Sequence, residues 1–269
     1  MELLPNPVIQ RYLRTGKKHP IFYCAGCQIG IIMGALIRGV NGLNLQKDEV
    51  FLVSGVGCSG RMPVYLDLCS IQATRGRALA FASGVKMAKP HLKVIAVIGE
   101  GEALSIGTSH LVHAARRNID LTVIVINNFM HAMTGGQPSP TTPHKAVAPL
   151  APYGNADHPL DICDLATASR ATFVARQTAY HAENLAELIA QAIKHNGFSL
   201  VEVASLCHMK PEKKSPVDAL QWLKDNSIPR EKAGKLKSTE GTIIPGVFQN
   251  IAKPGLTDEY EKIIKTSRS

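Results

Sequence analysis

A chain of 269 residues that is 45 % hydrophobic and 19 % charged can bury one good core, so we expect one main domain. The formal charge of +9 and the pI near 9.3 favour an acidic partner, but nucleic acid is not expected, because zinc-finger and ribonucleoprotein motifs are missing and only 5 % of residues are aromatic. No apolar run reaches 18 residues, and residues 1–5 lack the start of a secretory signal; we therefore expect a cytoplasmic protein without a membrane partner.

Strands and helices alternate through the central part of the sequence. Residues 1–20 contain three prolines and are predicted to form an N-terminal arm. The predicted elements of residues 21–208 are, in order, helix 29–40, strand 49–54, helix 75–86, strand 94–98, helix 103–117, strand 121–126, helix 161–170, strand 172–175, helix 182–195 and strand 199–204. This alternation predicts an α/β fold, a doubly wound parallel sheet with helices on both faces.

Two further segments lie outside this pattern. Residues 129–160 form a long loop that is dense in Pro, Gly, Thr and His. Loops of this length within a compact domain are usually functional or disordered, and we favour function here. From residue 209 to 269 the sequence becomes charged and is interrupted by proline, with one short amphipathic piece at 218–225. We predict that this C-terminal tail packs on a partner subunit.

Two polar turns follow apolar runs that we interpret as neighbouring buried strands. The first turn is Gly99-Glu-Gly-Glu102, and the second is Asn127-Asn128. Ligands of open parallel sheets bind beyond the carboxyl ends of the strands, where a helix N-terminus also attracts phosphate. Because magnesium prefers oxygen ligands from protein and phosphate, Glu100 and Asn128 are the candidate metal ligands.

The six cysteines favour metal binding, redox chemistry or core packing over disulfides in a cytoplasmic protein. The Cys24–Cys27 pair suits a redox pair, half of a zinc site or half of a cluster site. Cys58 follows the first predicted strand and Cys207 follows the last, so both should lie at the same sheet edge as the polar turns. Four thiolates could therefore converge there, whereas Cys69 and Cys163 are predicted to be small buried side chains.

The two polar turns resemble the Gly-Asp-Gly and Asn-Asn motif of thiamine diphosphate enzymes. Three more segments, His110–Asn118, Met133–Gln137 and Ser139–Pro143, are similar to the beta subunit of 2-oxoacid:ferredoxin oxidoreductases. The similarity covers most of the predicted α/β domain. Its specificity comes from several motifs in the same order, since a Gly-x-Gly turn alone would be weak support.

This resemblance implies an enzyme that binds thiamine diphosphate, Mg²⁺ or another divalent ion, and one 4Fe-4S cluster. It would convert a 2-oxoacid and coenzyme A to acyl-CoA and carbon dioxide and pass the electrons to ferredoxin. The Met133–Gln137 segment favours 2-oxoglutarate, with pyruvate and branched-chain or aryl 2-oxoacids as alternatives. In the resembled enzymes a companion alpha subunit supplies the carboxylate that activates the cofactor, so this chain would be inactive alone.

The resemblance also implies roles for individual residues. The metal ion would be bound by Glu100, Asn128 and the carbonyl of Met130. The diphosphate would be bound by backbone groups of Gly99, Gly101 and Glu102, with Thr134 and Gln137 close by. The cluster would be bound by Cys24, Cys27, Cys58 and Cys207. Arg61 would face the active site and bind the substrate or coenzyme A, because a guanidinium can bind a carboxylate through two hydrogen bonds.

The sequence departs from the family pattern at several of these places. Glu100 and Glu102 replace acidic residues that are usually Asp, and each extra methylene moves the carboxylate outward by about 1.5 Å. The loop could shift, the site could prefer a larger ion, or metal binding could be lost. Gln28 replaces a usual Gly, Arg75 a frequent His, and His131-Ala132 the usual Tyr-Gly.

These departures leave two alternatives to the enzyme subunit open. The first is a non-catalytic paralogue that keeps the fold and the subunit interface but has lost thiamine diphosphate. The second is a different thiamine enzyme whose cysteines bind structural zinc.

Overall fold

The computed structural model describes residues 6–14, 23–207, 215–234 and 241–268. The strands are β1 Val50–Ser54, β2 Cys69–Gln72, β3 Lys93–Gly99, β4 Leu121–Asn127, β5 Phe173–Thr178, β6 Phe198–Ala204 and β7 Gly246–Asn250. The helices are α1 Pro7–Tyr12, α2 Ile29–Gly42, α3 Met62–Tyr65, α4 Ala78–Ala88, α5 Thr108–Arg116, α6 Ile162–Ala168, α7 Ala182–Lys194, α8 Pro216–Asp225, α9 Arg230–Ala233 and α10 Leu256–Arg268. A π-helical turn, Glu102–Ile106, joins β3 to α5.

The described strands form one sheet in the order β2-β1-β3-β4-β6-β5-β7. The first six strands of this order are parallel, and β7 runs antiparallel to β5 at the edge. The predicted doubly wound parallel sheet is therefore confirmed, with one antiparallel edge strand added. Because β1, β3, β4 and β6 are consecutive neighbours, the loops that follow them lie side by side.

Helices cover both faces of this sheet. Ile95 and Ile124 point to the face covered by α2 and α7, whereas Ala96 and Val123 point to the face covered by α4, α5 and α6. Every residue of β4 is buried. Two covered faces explain why the central strands appear in the sequence as continuous apolar runs rather than alternating ones.

The edges of the fold differ from the sequence prediction. The short edge strand β2 was missed, and Cys69 at its start is exposed, so the prediction that Cys69 is a buried side chain was wrong. The matching prediction for Cys163 is confirmed, since this residue is fully buried in α6. An edge strand has one neighbour and needs no long apolar run, which explains the missed assignment.

The two ends of the chain also take part in the core. Tyr12 in the predicted N-terminal arm is 2 % exposed and belongs to the main hydrophobic cluster. The predicted C-terminal tail contains β7, so the sheet does not end at residue 208. Packing of this segment on a partner stays a prediction. Within the described ranges, no helix is long and apolar enough to cross a bilayer.

Candidate cofactor site at the carboxyl edge of the sheet

The loops after β1, β2, β3 and β4 enclose one cleft, which contains about 490 Å³ of empty space including its open mouth. Its polar lining brings together most of the residues that the sequence predicted. Among the lining residues are Cys58, Arg75, the segment 99–102, Asn128, Met130, His131 and Thr134. The structure thus places the acidic turn, the amide turn and one predicted cluster cysteine around the same space.

Glu100 lies at the bottom of this cleft and is 3 % exposed. Its Oε1 accepts a hydrogen bond from the backbone N–H of Met130 at 3.0 Å. The same N–H is 3.3 Å from Oδ1 of Asn128, so the carboxylate and the amide oxygen converge on one turn. The Met130 carbonyl accepts from Ala132 at 3.0 Å and keeps a second lone pair. The side-chain oxygens of Glu100 and Asn128 therefore meet at the Met130 N–H, and all three residues line the cleft.

Burial raises the pKa of Glu100 to about 7. Hydrogen bonds from its own backbone N–H, from the Ser139 hydroxyl and from the N–H groups of Asn128 and Met130 oppose this rise. A carboxyl group that is half protonated near neutral pH gains its full charge when a cation binds. This chemistry suits a site for a divalent ion.

Glu102 has a structural task that the sequence did not reveal. One carboxylate oxygen accepts the N–H of Val56 at 3.1 Å, and the other accepts the N–H of Gly76 at 2.8 Å. Burial raises its pKa, while these two bonds and the charge of Arg75 lower it. The side chain thus joins the loop after β1 to the loop after β2. Only the backbone of Glu102 remains for a diphosphate, as the resemblance implies.

Arg75 and His131, two of the departures from the family pattern, contact each other in the cleft. Nη2 of Arg75 is 3.2 Å from Nδ1 of His131. Because a guanidinium can only donate, Nδ1 is the acceptor and the ring is neutral. Burial and the Arg75 charge both lower the pKa of His131. The ring lies against Gly101, where a Cβ atom would be 2.1 Å from its Cε1 atom.

The four cysteines of the predicted cluster site are electrostatic neighbours. Burial is the main cause that raises the pKa of Cys27 to about 11, and the thiolates of Cys58, Cys207 and Cys24 raise it further. Burial also raises the pKa of Cys58, with contributions from Cys207, Cys24 and Glu100. Of the four, Cys58 alone is among the residues that line the cleft, so the cysteine group, called here the sulfur-rich end, adjoins the acidic end through this residue.

The remaining predicted site residues occupy the rim. Arg61 is exposed and does not line the cleft, but its charge lowers the pKa of Cys58. Oγ1 of Thr134 donates to Oε1 of Gln137 at 2.7 Å, and Nε2 of Gln137 donates to the Thr134 carbonyl at 2.9 Å. Both belong to a compact turn in which the N–H of His131 donates to the carbonyl of Gln137 at 2.9 Å, and of the two only Thr134 lines the cleft.

A buried ion-pair network below the site was not predicted. Nε of Arg176 donates to Oε2 of Glu202 at 2.6 Å, and Nδ2 of Asn127 donates to Oε1 of the same carboxylate at 2.8 Å. The side-chain oxygen of Asn127 then accepts from Phe129 N and Thr141 Oγ1. Asn127 therefore shapes the turn that carries Asn128. The only feature of the sequence that pointed to this network was a charged residue within each of two apolar strands, Arg176 in β5 and Glu202 in β6.

Comparison with known proteins agrees with this geometry. The model of the thiamine pyrophosphate enzyme C-terminal TPP binding domain matches residues 55–203, more than half of the chain. The 2-oxoglutarate synthase subunit KorB of Methanothermobacter marburgensis is 41 % identical over 98 % of this chain and 94 % of its own length. The corresponding subunit of Archaeoglobus fulgidus is 45 % identical over 94 % and 92 %.

A solved structure extends the comparison to three dimensions. It is that of 2-oxoglutarate:ferredoxin oxidoreductase from Magnetococcus marinus with 2-oxoglutarate, coenzyme A and succinyl-CoA bound, and it is 28 % identical with a TM-score of 0.87. The similarity covers 100 % of this chain and 93 % of that chain. The chain therefore belongs to the thiamine diphosphate-binding beta subunits of 2-oxoacid:ferredoxin oxidoreductases, in their 2-oxoglutarate synthase-like branch.

Proposed function

We propose that this chain, together with an alpha subunit, oxidatively decarboxylates 2-oxoglutarate to carbon dioxide and transfers the resulting acyl group to coenzyme A, which gives succinyl-CoA. The two electrons released pass one at a time through a 4Fe-4S cluster to two molecules of ferredoxin, and one proton is released. The names of the relatives and the ligands bound in the Magnetococcus marinus structure support 2-oxoglutarate as the substrate. An acidic ferredoxin also suits a chain with a formal charge of +9.

The observation that carries this proposal is the shared lining of the cleft by Cys58 and Glu100. A carboxylate–amide pair suits a divalent ion and a diphosphate, whereas a group of thiols suits iron. Two such donor sets around one cleft provide a short path for electrons between an oxidised substrate and a cluster. Neither a simple decarboxylase nor a structural zinc protein needs this arrangement.

At the oxygen-rich end, we propose that Glu100, Asn128 and the Met130 carbonyl hold Mg²⁺ or another divalent ion. The bond from Met130 N to Glu100 supports retention of the ion, because the longer side chain reaches the turn that carries Asn128. Backbone N–H groups of Gly99, Gly101 and Glu102 would bind the diphosphate at the start of the helical turn. Thiamine diphosphate supplies the electron sink that makes decarboxylation of a 2-oxoacid accessible.

At the sulfur-rich end, we propose that Cys24, Cys27, Cys58 and Cys207 hold the cluster. A single zinc ion bound at about 2.3 Å needs sulfurs about 3.8 Å apart. Within the described ranges, the one group of three metal-binding side chains with all ligand atoms within 4.8 Å is Asp161, Cys163 and Glu202, and Arg176 neutralises it. No three of the four proposed cysteine ligands, all of which lie in the described ranges, have sulfurs within 4.8 Å of one another, so the close spacing that one zinc ion needs is not formed there.

Arg61 is the proposed binding residue for a carboxylate of the substrate or for coenzyme A. It is exposed beside Cys58, so it could contact a ligand that enters from the rim. The alpha subunit would close the cleft and supply the carboxylate that activates the cofactor.

The test is anaerobic purification of the chain co-expressed with its alpha subunit, followed by analysis of iron, sulfide, zinc and thiamine diphosphate. We expect four iron atoms per beta chain, bound cofactor, and ferredoxin reduction that is faster with 2-oxoglutarate than with pyruvate. A colourless complex with one zinc ion would contradict the cluster. An iron-containing complex without thiamine diphosphate would identify the non-catalytic paralogue.

A further inference from the structure

Gln28 joins the two segments that carry Cys27 and Cys207. It precedes α2 and is 2 % exposed, and its side chain makes no cap to the helix. Instead Oε1 accepts the backbone N–H of Leu206 at 2.8 Å. Leu206 is the neighbour of Cys207, just as Gln28 is the neighbour of Cys27. The glutamine side chain therefore joins the two segments that carry these proposed cluster ligands.

The other end of this amide has no partner in the protein. Nε2 of Gln28 is buried and meets no hydrogen-bond acceptor among the residues that the structure describes. A buried amide without an acceptor costs free energy, and such groups usually mark an ion, a water molecule or a ligand. The resembled subunits usually have Gly here, which could make neither contact. Gln28 is thus a specific addition to this site.

A second unpartnered donor lies beside the same cysteines. The hydroxyl of Tyr23 is buried, and no described residue offers it an acceptor. Its ring packs against Tyr65 with the centroids 5.6 Å apart. After burial, the charge on Cys27 is the largest cause that raises the pKa of Tyr23, and Cys58 contributes as well. Tyr23 also directly precedes Cys24, a third proposed ligand, so its buried hydroxyl belongs to the segment that carries the cysteine pair.

We propose that the side-chain amide of Gln28 and the hydroxyl of Tyr23 donate hydrogen bonds to sulfur atoms of the cluster site and raise its reduction potential. This inference rests on the proposed cluster at the four cysteines. The thiolate and sulfide sulfurs of a cluster are hydrogen-bond acceptors. They would supply the acceptors that the Gln28 amide and the Tyr23 hydroxyl lack among the described residues. A cluster gains negative charge when it accepts an electron, so donors aimed at sulfur stabilise the reduced form.

Gln28→Met and Tyr23→Phe remove one donor each at nearly constant volume. The test is a redox titration of the anaerobic complex, monitored by electron paramagnetic resonance of the reduced cluster. For each variant we expect the equilibrium constant for reduction to fall about tenfold, equivalent to about 59 mV for one electron. Cluster reassembly in D₂O followed by electron–nuclear double resonance should show one exchangeable deuteron fewer than in the wild type.

Gln249→Met is the matched control. This glutamine pairs with Val174 in the antiparallel edge ladder and donates to the carbonyl of Ala171 ahead of β5, away from the cysteine-bearing loops. It should leave the potential and the deuteron couplings unchanged.

The outcomes separate this inference from the proposed function. Wild-type potentials and couplings in both variants, with the cluster present, would overturn the inference and leave the cluster assignment intact. Absence of a cluster from the wild-type complex would overturn both. If Gln28→Met does not assemble a cluster, Tyr23→Phe decides: a lowered potential and a lost coupling support the inference, and unchanged values overturn it.

Discussion

Glu100 at the end of β3 binds Met130 beyond β4 through a hydrogen bond of 3.0 Å from the Met130 N–H to the carboxylate. The two residues are 30 positions apart, and the parallel pairing of β3 with β4 brings them together. The side chain that replaces the usual aspartate is therefore accommodated by a contact with the neighbouring turn. Metal affinity should depend on this carboxylate.

Glu100→Ala should weaken binding of thiamine diphosphate with its divalent ion by at least about 100-fold, because changes one shell further from a metal already cost about 10- to 100-fold. Equilibrium dialysis of the complex against the cofactor and Mg²⁺ measures this. Glu187→Ala, at an exposed position of α7, is the control and should bind like the wild type. Equal affinity in Glu100→Ala would remove Glu100 from the ligand set.

Glu100 should also make the cofactor-free protein less stable as the pH rises. Its pKa is raised from 4.5 to about 7 in the folded state, so the folded protein holds a proton that the unfolded chain releases. The contribution of Glu100 to the free energy of unfolding is therefore fully present below pH 4.5 and is lost as the pH rises through 7. This loss lowers the free energy of unfolding by up to about 3 kcal/mol. Urea denaturation of the cofactor-stripped protein between about pH 5 and 8 should show this slope.

Glu100→Gln should flatten that slope, because a neutral amide does not titrate. Both proteins are compared at fixed ionic strength. Addition of Mg²⁺ with thiamine diphosphate should stabilise the wild type most above about pH 7, because Glu100 is then ionised. The same slope in both proteins would assign the effect to another group.

Cys58→Ser should abolish the iron content of the complex, whereas Cys69→Ser should leave it unchanged. Cys58 is partly buried and coupled to the other proposed ligands, while Cys69 is exposed at the start of the edge strand β2. Iron and sulfide analysis with visible absorption compares the two variants. Equal loss in both would argue against the assignment of the ligands.

The central sheet and the placement of the site could be predicted because strands buried on both faces leave continuous apolar runs. The polar residues that end β3 and β4 then fall at one edge. The edge strands β2 and β7 left no such signal, since residues in both are partly exposed. A strand in this sheet was therefore predictable where both of its faces are buried and was missed where its residues are partly exposed.

The side-chain contacts of the site were beyond sequence reasoning for a different reason. Glu102 and Val56 are 46 positions apart, and Asn127 and Glu202 are 75 apart. Such pairs depend on register and rotamer, which residue spacing does not encode. The sequence therefore predicted which residues gather at the edge but not that Glu102 would hold a loop or that Asn127 would be structural.

Gly101→Ala should weaken binding of thiamine diphosphate by about 10- to 100-fold, the range expected when the support of a metal site is disturbed. A Cβ atom would lie 2.1 Å from the His131 ring, so the ring must leave its contact with Arg75. Cofactor dialysis measures the loss. Gly84→Ala in α4 is the control: apart from its chain neighbours and the backbone of its own helix, no described atom lies within 4 Å of the added Cβ, and helix propensity should stabilise that variant by up to about 1 kcal/mol.

Glu202→Gln should destabilise the protein by about 3 to 5 kcal/mol, the cost of removing one partner of a buried ion pair. The side chains of Glu202 and Arg176 are 4 % and 10 % exposed. In the wild type, Arg176 and Asn127 each donate a hydrogen bond to one oxygen of the Glu202 carboxylate. A glutamine has only one side-chain oxygen, so its NH₂ group must face one of these two donors and that hydrogen bond is lost. Urea denaturation of the complex measures the loss.

The matched control for Glu202→Gln is Asp161→Asn, which removes the second charge beside Arg176. Asp161 is 38 % exposed and caps α6, and asparagine can also cap a helix, so this variant should lose at most about 1 kcal/mol. Of the two variants, only Glu202→Gln disturbs Asn127, which shapes the turn that carries Asn128. The affinity of the Glu202→Gln variant for thiamine diphosphate should therefore fall about tenfold. Equal losses of stability and affinity in the two variants would mean that the network serves the fold alone and does not position the turn that carries Asn128.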